Sequence, residues 1–123
     1  MTHQRPEESP RPLTDLERSY IARLLSAQFP GREEVEEQLK SALARRIDYE
    51  GSVEIIPTSR IRAVVSKRIP VEGEASDVDG VPIYFLLHVV DATVRELEIY
   101  KADGSPIRRM PTPEQIDVVV LPP

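Results

Sequence analysis

The sequence predicts an α+β fold, with two N-terminal amphipathic helices packed on one face of a curved antiparallel sheet of four to six strands. Three observations predict it. Apolar residues recur at helical spacing as far as residue 46, then at a spacing of two. No helical segment separates the strand-like runs, so the strands pair antiparallel rather than through crossovers. The chain of 123 residues suits one domain, long enough to bury a core without covalent staples. Residues 1–12, with three prolines and few hydrophobes, read as a disordered N-terminal tail that includes His3, and residues 13–123 as the domain.

The first helix falls in "PLTDLERSYIARLLSAQFPG". Thr14 and Glu17 have capping-box spacing, in which the Thr14 hydroxyl accepts from the third helical amide and the Glu17 carboxylate reaches back. Leu16, Tyr20, Ile21, Leu24 and Leu25 form the apolar stripe, and Pro30–Gly31 stops the helix. The second helix is expected over "REEVEEQLKSALARR", with Val35, Leu39, Ala42 and Leu43 inward and charges that suit the helix dipole. Strands follow at "GSVEIIP", at "RIRAVVSKRIPVEGEASD" as one strand or two broken near Pro70, at "PIYFLLHVVD", at "VRELEIYK" and at "PEQIDVVVLPP".

The segment "EASDVDGVPIYFLLHVVD" raises the question of a calcium loop. With Asp77 at the first loop position, Pro82 falls where the invariant glycine belongs and His88 where the bidentate glutamate belongs. With Gly80 as the glycine, the first position is Ala75 and the last is Leu86. Both registers fail, and a hairpin turn is the better reading. A two-residue turn at Asp79–Gly80 would turn Glu72 and Glu74 into the core without partners. A three-residue loop, Val78–Asp79–Gly80, places Gly80 at the left-handed position and sets Ala75 opposite Ile83, Gly73 opposite Phe85 and Val71 opposite Leu87. A three-residue loop Asp91–Ala92–Thr93 then pairs Leu87 with Leu97 and Phe85 with Ile99.

These registers leave Glu72, Glu74, Tyr84, Leu86, His88, Glu96, Glu98 and Tyr100 together on the other face, with His88 opposite Glu96 and Tyr84 opposite Tyr100. Such a face is often only solvated sheet surface. Aromatic and apolar groups framed by charge also match the anatomy of an interface. A catalytic reading makes His88 a general base oriented by Glu96, but supplies no nucleophile. A metal reading joins His88 to Glu72, Glu74 or Glu96 and lacks an H-x-x-x-H or H-x-H core. The sequence therefore assigns no catalytic residue, no metal and no cofactor, and favours binding over enzymatic activity.

Composition narrows the partners. Acidic residues number 21 against 16 basic, a net charge of −5, which argues against nucleic acid. No phosphate-binding glycine motif is present. The absence of cysteine excludes disulfides and thiolate chemistry and is compatible with the cytoplasm. The N-terminus lacks an apolar signal core, and no apolar run is long enough to span a bilayer, so no membrane association is expected. The expected partner is a basic protein, and both a monomer and a homodimer fit.

The order "RPLTDLER…LL", "DVDGVPIYFLLHV" and "ELEIYKADGSPI", over Arg11 to Pro111, resembles a family of small bacterial single-domain proteins of unknown function. The resemblance implies that the turns at Asp79–Gly80 and Asp103–Gly104 belong to the shared scaffold. It transfers no activity. Two functional expectations follow from the sequence. One is a non-catalytic acidic protein-interaction module, of which an immunity- or antitoxin-like role is a concrete version. The other is a small-ligand-binding or hydrolytic domain with a pocket between helices and sheet, as a sheet curved around a helix in the cystatin-like or nuclear-transport-factor-like manner would provide.

Overall fold

The computed structural model describes residues 8–120, so most of the expected tail, including His3, lies outside the described residues. Element order is β1 (Arg11–Pro12), α1 (Asp15–Leu24), α2 (Arg32–Lys40), β2 (Leu43–Arg46), β3 (Val53–Ile56), β4 (Val71–Ser76), β5 (Pro82–Val90), β6 (Thr93–Lys101), a 3-10 turn at Pro113–Gln115, and β7 (Asp117–Val119). All strands form one antiparallel sheet in the order β1-β2-β3-β6-β5-β4-β7. No helix among the described residues is long and apolar enough to cross a membrane.

The expected architecture of four to six strands beneath two packed helices is thus corrected to a seven-stranded, sheet-dominated molecule. The extra strands come from segments whose local pattern pointed elsewhere. Leu43–Arg46, expected as the end of the second helix, pairs with both β1 and β3. Arg11–Pro12, from the expected tail, pairs with Leu43 and Ala44. The helices have 10 and 9 residues, about 15 Å each, against about 30 Å for each nine-residue central strand. Neither is long enough for a sheet to wrap around. α1 rests on β4 and the 3-10 turn, and α2 on β6.

α1 begins with the expected capping box. The Glu17 amide donates to Thr14 Oγ1 (3.1 Å) and the Thr14 amide to Glu17 Oε1 (2.9 Å). Arg11 adds a two-pronged contact to Glu17 at 2.8 and 2.9 Å, which ties β1 to the helix start. Tyr20, Ile21 and Leu24 are buried, whereas Leu16, expected in the stripe, is 50% exposed. The core joins these helical residues to one face of the sheet: Ala44, Val53, Ile55, Val71, Ile83, Phe85, Leu87, Leu97 and Ile99. Gly73 shows how tight the packing is. A Cβ there would sit 2.5 Å from Ile116 Cγ2 and 3.0 Å from Leu24 Cδ2.

The central hairpins position the opposite face. β4 and β5 pair as the three-residue loop requires, Val71 with Leu87, Gly73 with Phe85 and Ala75 with Ile83, and Gly80 adopts φ +83°. Leu87 pairs with Leu97 and Phe85 with Ile99, but by another route than expected. The β5–β6 turn has two residues, Asp91 and Ala92, at φ 52° and 58°, with Val90 opposite Thr93. A bulge then restores the parity, because His88 faces Glu96 while Val89 faces Val94, leaving Arg95 as the extra residue. Residues 60–70, expected as part of a strand, form no ladder.

Candidate functional site

Alternation along β4, β5 and β6 places Glu72, Glu74, Tyr84, Leu86, His88, Glu96, Glu98 and Tyr100 on the face away from the core, in the pairs Glu72–Leu86, Glu74–Tyr84, Tyr84–Tyr100, Leu86–Glu98 and His88–Glu96. The flanking strands extend the face. Glu54 lies opposite Glu96, and Val119 and Asp117 lie opposite Glu72 and Glu74. Tyr84 and Tyr100 pack with ring centroids 5.3 Å apart, and Tyr100 is 39% exposed. The negative charge of Glu74, with burial second, raises the Tyr84 hydroxyl above its ordinary value.

Two cations on this face are engaged. Arg45 Nη2 lies 2.6 Å from Glu54 Oε1. Arg68 Nε donates to His88 Nδ1 at 3.1 Å. A ring that accepts at Nδ1 carries its hydrogen on Nε2, and Nε2 therefore donates to Glu98 Oε1 at 2.8 Å. The partner of His88 is thus the diagonal Glu98 rather than Glu96 directly opposite. Burial raises the Glu96 carboxyl above its usual range, with His88 opposing the shift. Among the described residues, Glu72, Glu74, Glu96 and Asp117 form no ion pair.

One ring nitrogen of His88 and one oxygen each from Glu96 and Glu98 lie within 4.8 Å of one another, a set that resembles three metal ligands. Arg68 makes it a poor one. A metal on Nε2 would need the proton on Nδ1, where a guanidinium already donates, and that guanidinium would sit beside the metal's own charge. The same contact weighs against His88 as a general base, since the lone pair it would use is occupied.

A second polar cluster lies at the opposite end of β6, on the core side. Lys101 is 3% exposed, and its Nζ donates to Asp77 Oδ2 (2.9 Å), Asp79 Oδ2 (2.6 Å) and the Pro106 carbonyl (3.4 Å). Asp77 also accepts from the Val78, Arg108 and Arg109 amides. These contacts outweigh burial and hold the Asp77 carboxyl far below the usual carboxylate range. The oxygens that first suggest calcium thus hold an ammonium group. Sequence reasoning missed this cluster, although Lys101 opposite Ile83 falls on the apolar face and needs a buried anion. It also missed Arg68, whose segment reads as strand but leaves the sheet. A cavity of about 300 Å3 lies between α1 and α2, lined by Ile21, Leu25, Leu39 and Arg32 among others, and not between helices and sheet.

Fold and face together define a small antiparallel-sheet domain with one carboxylate-rich surface. The chain belongs to the family described as Domain of unknown function (DUF6984), whose model matches residues 10–111. This bears out the resemblance to a small single-domain family of unknown function. No curated protein and no solved structure matches the chain.

Proposed function

We propose that this protein is a non-catalytic interaction module whose open sheet face receives a basic segment of a partner protein. The observation that carries the reading is the set Glu72, Glu74, Glu96 and Asp117, which form no ion pair among the described residues, around half-buried Tyr84, exposed Tyr100 and Leu86. Aromatic groups inside a charged rim suit a docking surface, with the rings supplying buried area and the rim steering and register. The engagement of both His88 ring nitrogens supports binding over catalysis. A cytoplasmic setting is part of the proposal and accords with the absence of cysteine.

The test is a titration with a short peptide rich in Arg and Lys and carrying one aromatic residue, followed by amide NMR shifts. The expected result is movement at residues 72–74, 84–88 and 96–100, lost in the variant Glu72→Lys/Glu74→Lys and weakened by salt. Movement elsewhere, or equal movement in the variant, overturns the reading.

A further inference from the structure

The stretch from Ile55 to Val71 contains Arg60, Arg62, Lys67 and Arg68 and no acidic residue, in a chain of net charge −5. After β3 it leaves the sheet and runs past the end of the β5–β6 hairpin. Three contacts hold it there: Gln38 Nε2 donates to the Ile61 carbonyl (2.6 Å), the Ala63 amide to the Ala92 carbonyl (2.8 Å), and the Val89 amide to the Arg68 carbonyl (2.7 Å). Between loop and hairpin lies a cavity of about 450 Å3, within the range of about 300–1,000 Å3 for small-molecule sites.

The cavity has two kinds of wall. Arg62, Lys67 and Arg68 line one part, and Val65, Val89 and Val90 another, with Asp91 the single carboxylate. Among the described residues Arg62 and Lys67 form no ion pair. Among the described residues, the amides of residues 64–68 donate to no backbone carbonyl. Three cations held at one cavity repel one another, in a chain with 21 acidic residues. A bound anion removes that repulsion, and free amides beside cations make an anion-binding concavity.

We propose that this cavity binds a small phosphomonoester with an apolar body. The dianionic head lies against Arg62, Lys67 and Arg68, and the body against Val65, Val89 and Val90. The site is separate from the open face and does not depend on the reading given for it. The two touch at one residue. Arg68 also donates to His88, so an anion that draws Arg68 into the cavity takes that hydrogen bond from the open face.

Phenyl phosphate and inorganic phosphate, titrated separately into the full chain and followed by amide NMR shifts, test the proposal. The expected result is movement at residues 64–68 and 89–92, with phenyl phosphate binding more tightly than phosphate. Lys67→Glu, an exposed substitution that leaves the thermal midpoint unchanged, weakens phenyl phosphate by on the order of tenfold or more. Absence of movement at these amides, equal affinity for the two probes, or an unchanged response in Lys67→Glu overturns the proposal.

Discussion

Lys101 carries the one ammonium among the described residues that is buried with two carboxylates. Its pKa is raised, by the hydrogen bond to Asp79 first, and those of Asp77 and Asp79 are lowered. The sign of each contribution follows from linkage. The carboxylates stabilise the fold above their ordinary range near 3.8 and lose that contribution as pH falls through their depressed values. Lys101 stabilises below its ordinary 10.5 and loses that contribution as pH rises through its raised value. Lys101→Met should therefore lower the thermal midpoint strongly at pH 7, because it leaves the buried Asp77 carboxylate without its cation. The deficit should narrow at acid pH, where protonation of Asp77 and Asp79 removes the contribution of the pair. Calorimetry at the two pH values checks this, and a deficit of equal size at both would show that charge pairing is not the cause. The turn chemistry at Asp79–Gly80 was readable from sequence. The ammonium was not, because Lys101 enters from the far end of β6, twenty-four residues from Asp77.

The β5–β6 hairpin shows how an element can be read correctly for an incomplete reason. Its register follows from apolar alternation, but sequence parity cannot separate a three-residue loop from a two-residue turn combined with a bulge. Asp91 and Ala92 both take positive φ, and a two-residue turn of this kind favours glycine at the second place. Ala92→Gly should therefore raise stability by about 0.5–1 kcal/mol, measured by denaturant midpoint at unchanged slope. A loss of stability would mean that the Ala92 side chain packs usefully against its surroundings. The buried Gln38 explains why the less favourable turn is tolerated. Its amide donates to the Ile61 and Ala92 carbonyls (2.6 and 2.9 Å), and its carbonyl accepts from the Val94 amide (2.8 Å). α2 stops at Lys40, although "SALARR" has good helix propensity, because Leu43–Arg46 completes the ladder between β1 and β3. Tertiary pairing overrides local preference there. Residues 60–70 read as strand because Ile61, Ala63 and Val65 recur at a spacing of two, but their partners are single carbonyls and amides at the hairpin end.

At the scale of the molecule, the sheet divides the chain's charge. One face meets the helices and is apolar. The other collects Glu54, Glu72, Glu74, Glu96, Glu98 and Asp117, while the basic residues between β3 and β4 gather beside it. The eight face residues could be listed from sequence because strand alternation fixes them once the register is set. Their electrostatics could not, since Arg45 and Arg68 arrive from segments read as helix and strand. The carboxylate-rich face is proposed to dock a basic partner. Native mass spectrometry of the protein purified from its own host, alongside the Glu72→Lys/Glu74→Lys variant, tests it most directly. The expected result is a complex with a second, basic protein that dissociates with added salt and is missing from the variant. A complex retained in the variant, or a bare chain in both samples, would contradict it.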